Sequence, residues 1–154
     1  MKQILTEETF SSPQWLKIIC YFFGLLLAIT GFNLLIQNDF AQEVVFLTPL
    51  LLLIVVSMFM YTRLKLTISN TDIRFTGGLK QYQFLWTDIT RIDMKMVGKY
   101  QTPVCILYYG EKSLELNRGF YLKRQFNRIL SLLEMKVAPE IFSRQYQTIR
   151  RHLI

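Results

Sequence analysis

Two long apolar runs near the N-terminus constrain this chain more than any other feature. The first, LKIICYFFGLLLAITGFNLLI, covers residues 16–36, and the second, VVFLTPLLLLIVVSMFMY, covers residues 44–61. A helix needs about 20 apolar residues to cross the hydrocarbon of a bilayer. Both runs are apolar on every face, and the rest of the chain is too small to cover them. We therefore predict a membrane-spanning helical hairpin over residues 15–61.

A cleavable signal peptide is the main alternative for the first run. Glu7 and Glu8 precede it, where a signal peptide carries basic residues, and the run is too long and lacks a small-residue cleavage pattern. Within the run, Gly24, Ala28 and Gly31 have the spacing that lets helices approach closely. We expect them to pack against the second helix of the same chain, with self-association of two chains as the alternative.

The charges that flank the two runs predict the orientation of the hairpin. The connection between the runs carries only Asp39 and Glu43, whereas Lys2 and Lys17 lie on the other side. From residue 62 onward there are sixteen Lys or Arg and seven Asp or Glu, a net charge of +9. The positive-inside rule therefore predicts that both termini lie in the cytoplasm.

Basic residues beside the spans are candidates for contact with lipid headgroups. They are Lys17, Arg63, Lys65 and Arg74. An anionic leaflet attracts each such charge by about 1 kcal/mol. The same residues also fit a second interpretation, as positive-inside signals and solvated strand faces. Nucleic acid is not an expected partner, because aromatic side chains are not interleaved with the basic ones in the way that stacks bases.

Beyond the second run, apolar and polar residues alternate, which is typical of β-strands. Six antiparallel strands are predicted, at 63–68, 72–76, 80–86, 89–97, 103–109 and 113–116. Gly77 and Gly78 favour a hairpin between the second and third of them, because both residues accept positive φ. A curled sheet of this size has an open apolar face, which a helix laid across it would cover.

The spacing then changes to that of an amphipathic helix. Its predicted apolar face consists of Leu122, Phe126, Ile129, Leu130 and Leu133. Its opposite face carries Lys123, Arg124 and Arg128, which are candidates for binding an acidic protein partner or simply keep the domain soluble. A shorter helix is predicted after Pro139.

The run LKLTISNTDIRFTGGLKQYQFLWTDITRIDM resembles the start of bacterial pleckstrin-homology-like (PH-like) domains, which often follow a pair of membrane helices. The shared features are an L-x-I-S/T element before a polar turn, a Gly-containing hairpin, and a W-x-D-I element at Trp86, Asp88 and Ile89. The resemblance covers residues 64–135. It implies an α+β fold: a bent antiparallel β-barrel of six to seven strands, capped by the C-terminal amphipathic helix. The seventh strand is then hidden between residues 116 and 120, or absent.

Together these predictions divide the chain into four parts. They are a short cytoplasmic segment (1–14), the membrane hairpin (15–61), a PH-like domain (62–136) and a C-terminal helical tail (137–154). Neither a catalytic site nor a metal or cofactor site is predicted. His152 lies close to the C-terminus, Asp88 and Asp93 fit a capping and a solvent-facing role better than an acid pair, and Cys20 and Cys105 are two lone thiols.

We therefore expect a non-catalytic protein of a bacterial inner membrane. Its PH-like module would bind a protein partner, or assemble with further copies of itself, beside membrane lipids. Two alternatives remain open from the sequence: a lipid- or ligand-binding sensor at the inner leaflet, and a membrane immunity protein that blocks a toxin.

Overall fold

The computed structural model of the protein describes residues 7–37, 42–77 and 79–153. Its helices are α1 (Gln14–Gln37), α2 (Gln42–Thr62), α3 (Lys123–Lys136) and α4 (Arg144–Leu153). Its strands are β1 (Glu8–Ser11), β2 (Lys65–Ile68), β3 (Asp72–Gly77), β4 (Lys80–Leu85), β5 (Ile89–Val97), β6 (Thr102–Tyr109) and β7 (Lys112–Asn117). Lys2, the predicted loop residue Asp39 and the hairpin residue Gly78 lie outside the described residues.

The described chain forms two compact units. The helical unit consists of Ser12–Leu64 and Thr76–Lys80, and the β-rich unit consists of the other described residues. Within the helical unit, α1 is the one described helix that is long and apolar enough to cross a membrane, by length and composition. The described apolar stretch of α2, Phe46–Thr62, is shorter than such a span. Both predicted runs, 16–36 and 44–61, are helical.

The β-rich unit contains a strand that the sequence did not predict. β1 precedes α1 and α2 and pairs antiparallel with β2, which follows them, so that Phe10 lies opposite Leu66 and Ser11 opposite Lys65. Phe10 is buried among the core residues of the unit. The prediction that a seventh strand is hidden between residues 116 and 120, or absent, is therefore wrong. β1 is the further strand, and residues Arg118–Phe120 form a short 3-10 helix.

The seven strands form two antiparallel sheets rather than a closed barrel. One sheet has the order β1-β2-β3-β4, and the other has the order β5-β6-β7. The three residues Trp86–Asp88 connect the two sheets as one turn of 3-10 helix. Phe84 of the first sheet stacks on Tyr109 of the second, with ring centroids 4.1 Å apart. The predicted α+β class is confirmed, and the predicted barrel closure is not observed.

Both C-terminal helices complete the core of the β-rich unit. The apolar face of α3 is buried from Phe126 to Leu133, as predicted. Leu122 is an exception, because it precedes the first turn of α3 and is 51% exposed. In α4, Tyr146 and Ile149 are buried in the same core. Residues 137–153, the stretch predicted as a C-terminal helical tail, thus belong to the β-rich unit.

The segment before α4 is attached to the edge of β5. The backbone N–H of Ser143 donates to the carbonyl of Ile92 at 2.9 Å, and Phe142 forms a parallel bridge with Ile92. The hydroxyl of Ser143 donates to the carboxylate of Asp93 and accepts the N–H of Tyr146 at 3.0 Å, which caps the first turn of α4. Hydrogen bonding to Ser143, together with Arg91, holds the pKa of Asp93 below its usual range in spite of burial. Asp93 is therefore a structural anchor for the C-terminal segment.

Candidate functional site

Three of the four predicted headgroup-contact residues keep exposed cationic side chains. Lys17 is partly exposed in the first turns of α1, Arg63 is exposed directly after α2, and Lys65 is exposed at the start of β2. A long basic side chain in such a position reaches headgroup phosphates while its stem remains against apolar surface. The fourth residue, Arg74, has a different role.

Arg74 is held by a polar network at the turn between β2 and β3. Its Nε donates to Oδ2 of Asp72 at 2.9 Å, and Gln83 Nε2 donates to the same oxygen at 2.8 Å. The Ser69 hydroxyl donates to the other carboxylate oxygen. The Arg74 guanidinium, followed by the Ser69 hydroxyl, lowers the pKa of Asp72 to about 2. The Arg74 side chain is half exposed, and its charge is paired with the Asp72 carboxylate, which is only 7% exposed.

This network predicts a loss of stability in acid. The folded-state pKa of Asp72 is about 2, below the ordinary value of about 3.9. Its contribution is therefore complete above about pH 4 and is lost as the pH falls towards about 2. We expect a loss of about 1–2 kcal/mol in the free energy of unfolding, discounted because Arg74 is half exposed. Asp72→Asn should remove this part of the pH dependence and destabilise the protein at neutral pH, as measured by urea unfolding.

Glu111→Gln is the control for that experiment, because Glu111 is exposed in the turn between β6 and β7. Glu111→Gln makes the same change of charge and should leave the loss of stability at low pH unchanged. If the stability of the native protein and of Asp72→Asn fell equally as the pH is lowered, the attribution of this pH dependence to Asp72 would be contradicted.

The turn between β3 and β4 adds residues that the sequence analysis did not select. Thr76–Lys80 belongs to the helical unit, Leu79 is 83% exposed, and Lys80 is exposed. An exposed leucine beside a lysine has the chemistry of a shallow contact with the bilayer interface. The glycine hairpin next to Leu79 was the available signal, but alternation alone does not predict which residue of a turn projects.

The predicted basic face of α3 is only partly available to a partner. Lys123 and Arg124 are exposed and form no ion pair among the described residues. Arg128 instead donates two hydrogen bonds to the Glu8 carboxylate, one of them from Nε to Oε2 at 3.1 Å. Arg128 therefore connects α3 to β1.

The small residues of α1 face α2. A Cβ added at Gly24 would meet Phe59 at 3.7 Å, and one added at Gly31 would meet Leu51 at 3.7 Å. Ala28 and Gly31 line a space of about 120 Å³ between the helices. Thr62 Oγ1 also donates to the Tyr21 hydroxyl at 3.1 Å. Within one chain, all three residues therefore lie at the contact between α1 and α2.

We expect Gly24→Ala to be tolerated and Gly24→Leu to destabilise the helix pair. The distances at Gly24 leave room for a methyl group in ordinary contact, whereas an isobutyl group would overpack the interface by about 1–3 kcal/mol. Thermal unfolding in detergent, followed by circular dichroism, measures this difference. Thr30→Leu is the control, because it adds bulk at an exposed position of α1. A Gly24→Leu protein as stable as Thr30→Leu would contradict the packing.

An open cleft of about 320 Å³ lies between the end of α3 and α4. Phe142 and Tyr146 line it with their rings 4.7 Å apart. On one wall, Arg150 Nε donates to Oε1 of Glu134 at 2.8 Å, and the Tyr146 hydroxyl donates to the same oxygen at 2.9 Å. Arg151 also lines the cleft and is exposed. Two aromatic side chains and two arginines therefore line a common space in the β-rich unit.

Two of the residues considered for chemistry are Cys105 and Asp88. Burial raises the pKa of the Cys105 thiol, which is fully enclosed. Asp88 Oδ2 accepts the N–H of Leu85 at 2.9 Å and so caps the 3-10 turn between the sheets. Among the described residues, no group of three or more His, Cys, Asp or Glu is arranged to hold a metal ion.

No family model, curated protein or solved structure matches the chain.

Proposed function

We propose that the chain is a non-catalytic, multi-pass protein of a bacterial inner membrane that presents a PH-like module to a protein partner in the cytoplasm. In this proposal the module is one folded body, and the membrane hairpin is an insertion between its first and second strands.

The pairing of β1 with β2 is the observation that carries the proposal. Ser11 and Lys65 are opposite each other on neighbouring strands, although the whole of α1 and α2 lies between them in sequence. A segment that leaves and re-enters one folded sheet begins and ends on the same side of a membrane. It therefore crosses the membrane an even number of times. If α1 spans the bilayer, α2 returns across it.

Charge and strand order support the remaining parts of the proposal. The chain from residue 62 onward carries a net charge of +9, which favours a cytoplasmic position. Seven strands in two antiparallel sheets, followed by an amphipathic helix, support the PH-like resemblance, which implies six to seven strands and a C-terminal capping helix. The cleft at α4 and the exposed Lys123 and Arg124 provide surface for a partner.

Cysteine labelling in cells tests the proposal. A membrane-impermeant maleimide should label Asp39→Cys, in the predicted outer loop, in intact spheroplasts. It should label Glu7→Cys and Thr148→Cys only after lysis, because both positions belong to the β-rich unit. Labelling of either of these two before lysis would contradict the proposed orientation.

A second function, contact with the inner leaflet, is favoured by the exposed Leu79 and Lys80. Leu79→Trp in a Trp15→Phe background should be quenched by brominated lipids in vesicles. Tyr100→Trp in the same background is the control, because Tyr100 is 89% exposed on the turn between β5 and β6. Equal quenching of the two would remove the case for lipid contact at Leu79.

A further inference from the structure

The cleft between α3 and α4 has an apolar base and a polar rim. Tyr146 is buried, Phe142 is half-buried, and Pro139 completes the apolar lining. Gln147 and Arg151 are exposed at its edge. Its volume of about 320 Å³ is at the lower end of the range for ligand pockets, which begins at about 300 Å³. A cleft of this size accepts one large side chain together with part of its backbone.

The positive and negative charges around the cleft do not cancel. The carboxylate of Glu134 is neutralised by Arg150, whose side chain is only 12% exposed. Arg151 has no ion-pair partner among the described residues. The helix itself, RQYQTIRRHL, contains three arginines and no acidic residue. An entering ligand therefore meets one uncompensated arginine next to an apolar base.

We propose that this cleft binds an acidic segment of a partner protein, with an aromatic side chain of that segment seated against Phe142 and Tyr146 and a neighbouring carboxylate paired with Arg151. An aromatic anchor in a small pocket and an arginine at its edge are the residue types that dominate binding energy at protein interfaces. The inference rests on the proposed function, for which it names the partner surface and its chemistry.

Binding of defined peptides to the full-length protein in detergent tests the inference. The probe is the fluorescently labelled peptide DEEFEED, measured by anisotropy, with DEEAEED and KKKFKKK as comparison peptides. The acidic aromatic peptide should bind, and both comparison peptides should bind at least about tenfold more weakly. No binding of DEEFEED, or equal binding of DEEAEED or KKKFKKK, overturns the inference.

Two protein variants and one control locate the binding. Arg151→Glu should weaken binding of DEEFEED at least about tenfold, and Gln147→Trp should do the same by filling the cleft without changing the charge. Arg144→Glu makes the same charge change as Arg151→Glu, on an exposed residue of α4 outside the cleft, and should bind almost as the native protein does. Equal weakening by Arg144→Glu and Arg151→Glu, or native binding by Gln147→Trp, overturns the inference.

The two proposals fail independently. Peptide binding in detergent does not depend on which side of a membrane the module faces. Absent peptide binding with the expected cysteine labelling would refute the cleft inference alone. Thr148→Cys labelled in intact spheroplasts would refute the proposed orientation whatever the peptides do.

Discussion

Replacing Phe10 by alanine is expected to destabilise the β-rich unit by about 3–5 kcal/mol, the usual cost of removing a buried aromatic side chain. Phe10 is 6% exposed, belongs to the core and lies opposite Leu66 in the sheet. If residues 1–14 were a separate segment, as the sequence suggested, the same substitution would have almost no effect. Urea unfolding measures the difference through the fluorescence of Trp86, whose indole N–H donates to the carbonyl of Ser69 at 3.0 Å.

The Phe10 experiment uses a Trp15→Phe background, so that Trp86 is the remaining tryptophan. Phe120→Ala is the matched control, because Phe120 is 42% exposed in the same unit. We expect Phe120→Ala to lower the free energy of unfolding much less than Phe10→Ala does. A Phe10→Ala protein that unfolds at the same urea concentration as Phe120→Ala would show that β1 is not part of the core.

Tyr146→Ala is expected to lower the free energy of unfolding as much as Phe10→Ala does, by about 3–5 kcal/mol. Tyr146 is 2% exposed, and its hydroxyl donates to Glu134 at 2.9 Å. Tyr146→Phe keeps the ring and loses only this hydrogen bond to a charged group, so we expect a cost of about 1–3 kcal/mol. Both variants are measured by the same urea unfolding experiment.

The informative result is which of the two Tyr146 variants loses more stability. A large loss in the free energy of unfolding for Tyr146→Ala and a small loss for Tyr146→Phe would show that the Tyr146 ring fills the core of the β-rich unit. A negligible loss of stability for both variants would mean that the Tyr146 ring is not part of the core of the β-rich unit.

Local periodicity predicted most of the regular structure. The positions of six strands and of α3 follow from alternation and from helical spacing, because these patterns are set by which face of each element is buried. β1 could not be found in this way. Its four residues contain one aromatic side chain and no alternation to detect, and its partner strand lies beyond two helices.

The sequence does not show which of the candidate cations form ion pairs. Lys17 is partly exposed and Arg63 and Lys65 are exposed, whereas Arg74 and Arg128 are paired with Asp72 and Glu8. Net charge does not show which cations are neutralised, since Glu8 and Arg128 are 120 positions apart. The cleft at α4 was missed for another reason: its lining lies within residues 134–151, but helical spacing does not show how α3 and α4 meet.

The most direct test of the account is a disulfide between β1 and β2, which are separated in sequence by α1 and α2. Thr9 and Thr67 are opposite each other in the sheet, with their hydroxyl oxygens 3.3 Å apart, which suits a cross-strand disulfide. In a Cys20→Ala, Cys105→Ala background, Thr9→Cys with Thr67→Cys should cross-link on mild oxidation and migrate faster on a non-reducing gel. Thr9→Cys with Thr87→Cys, an exposed position, should not. Absence of the 9–67 cross-link, or its equal formation in the 9–87 control, would contradict a single β-rich unit built from both sides of the hairpin.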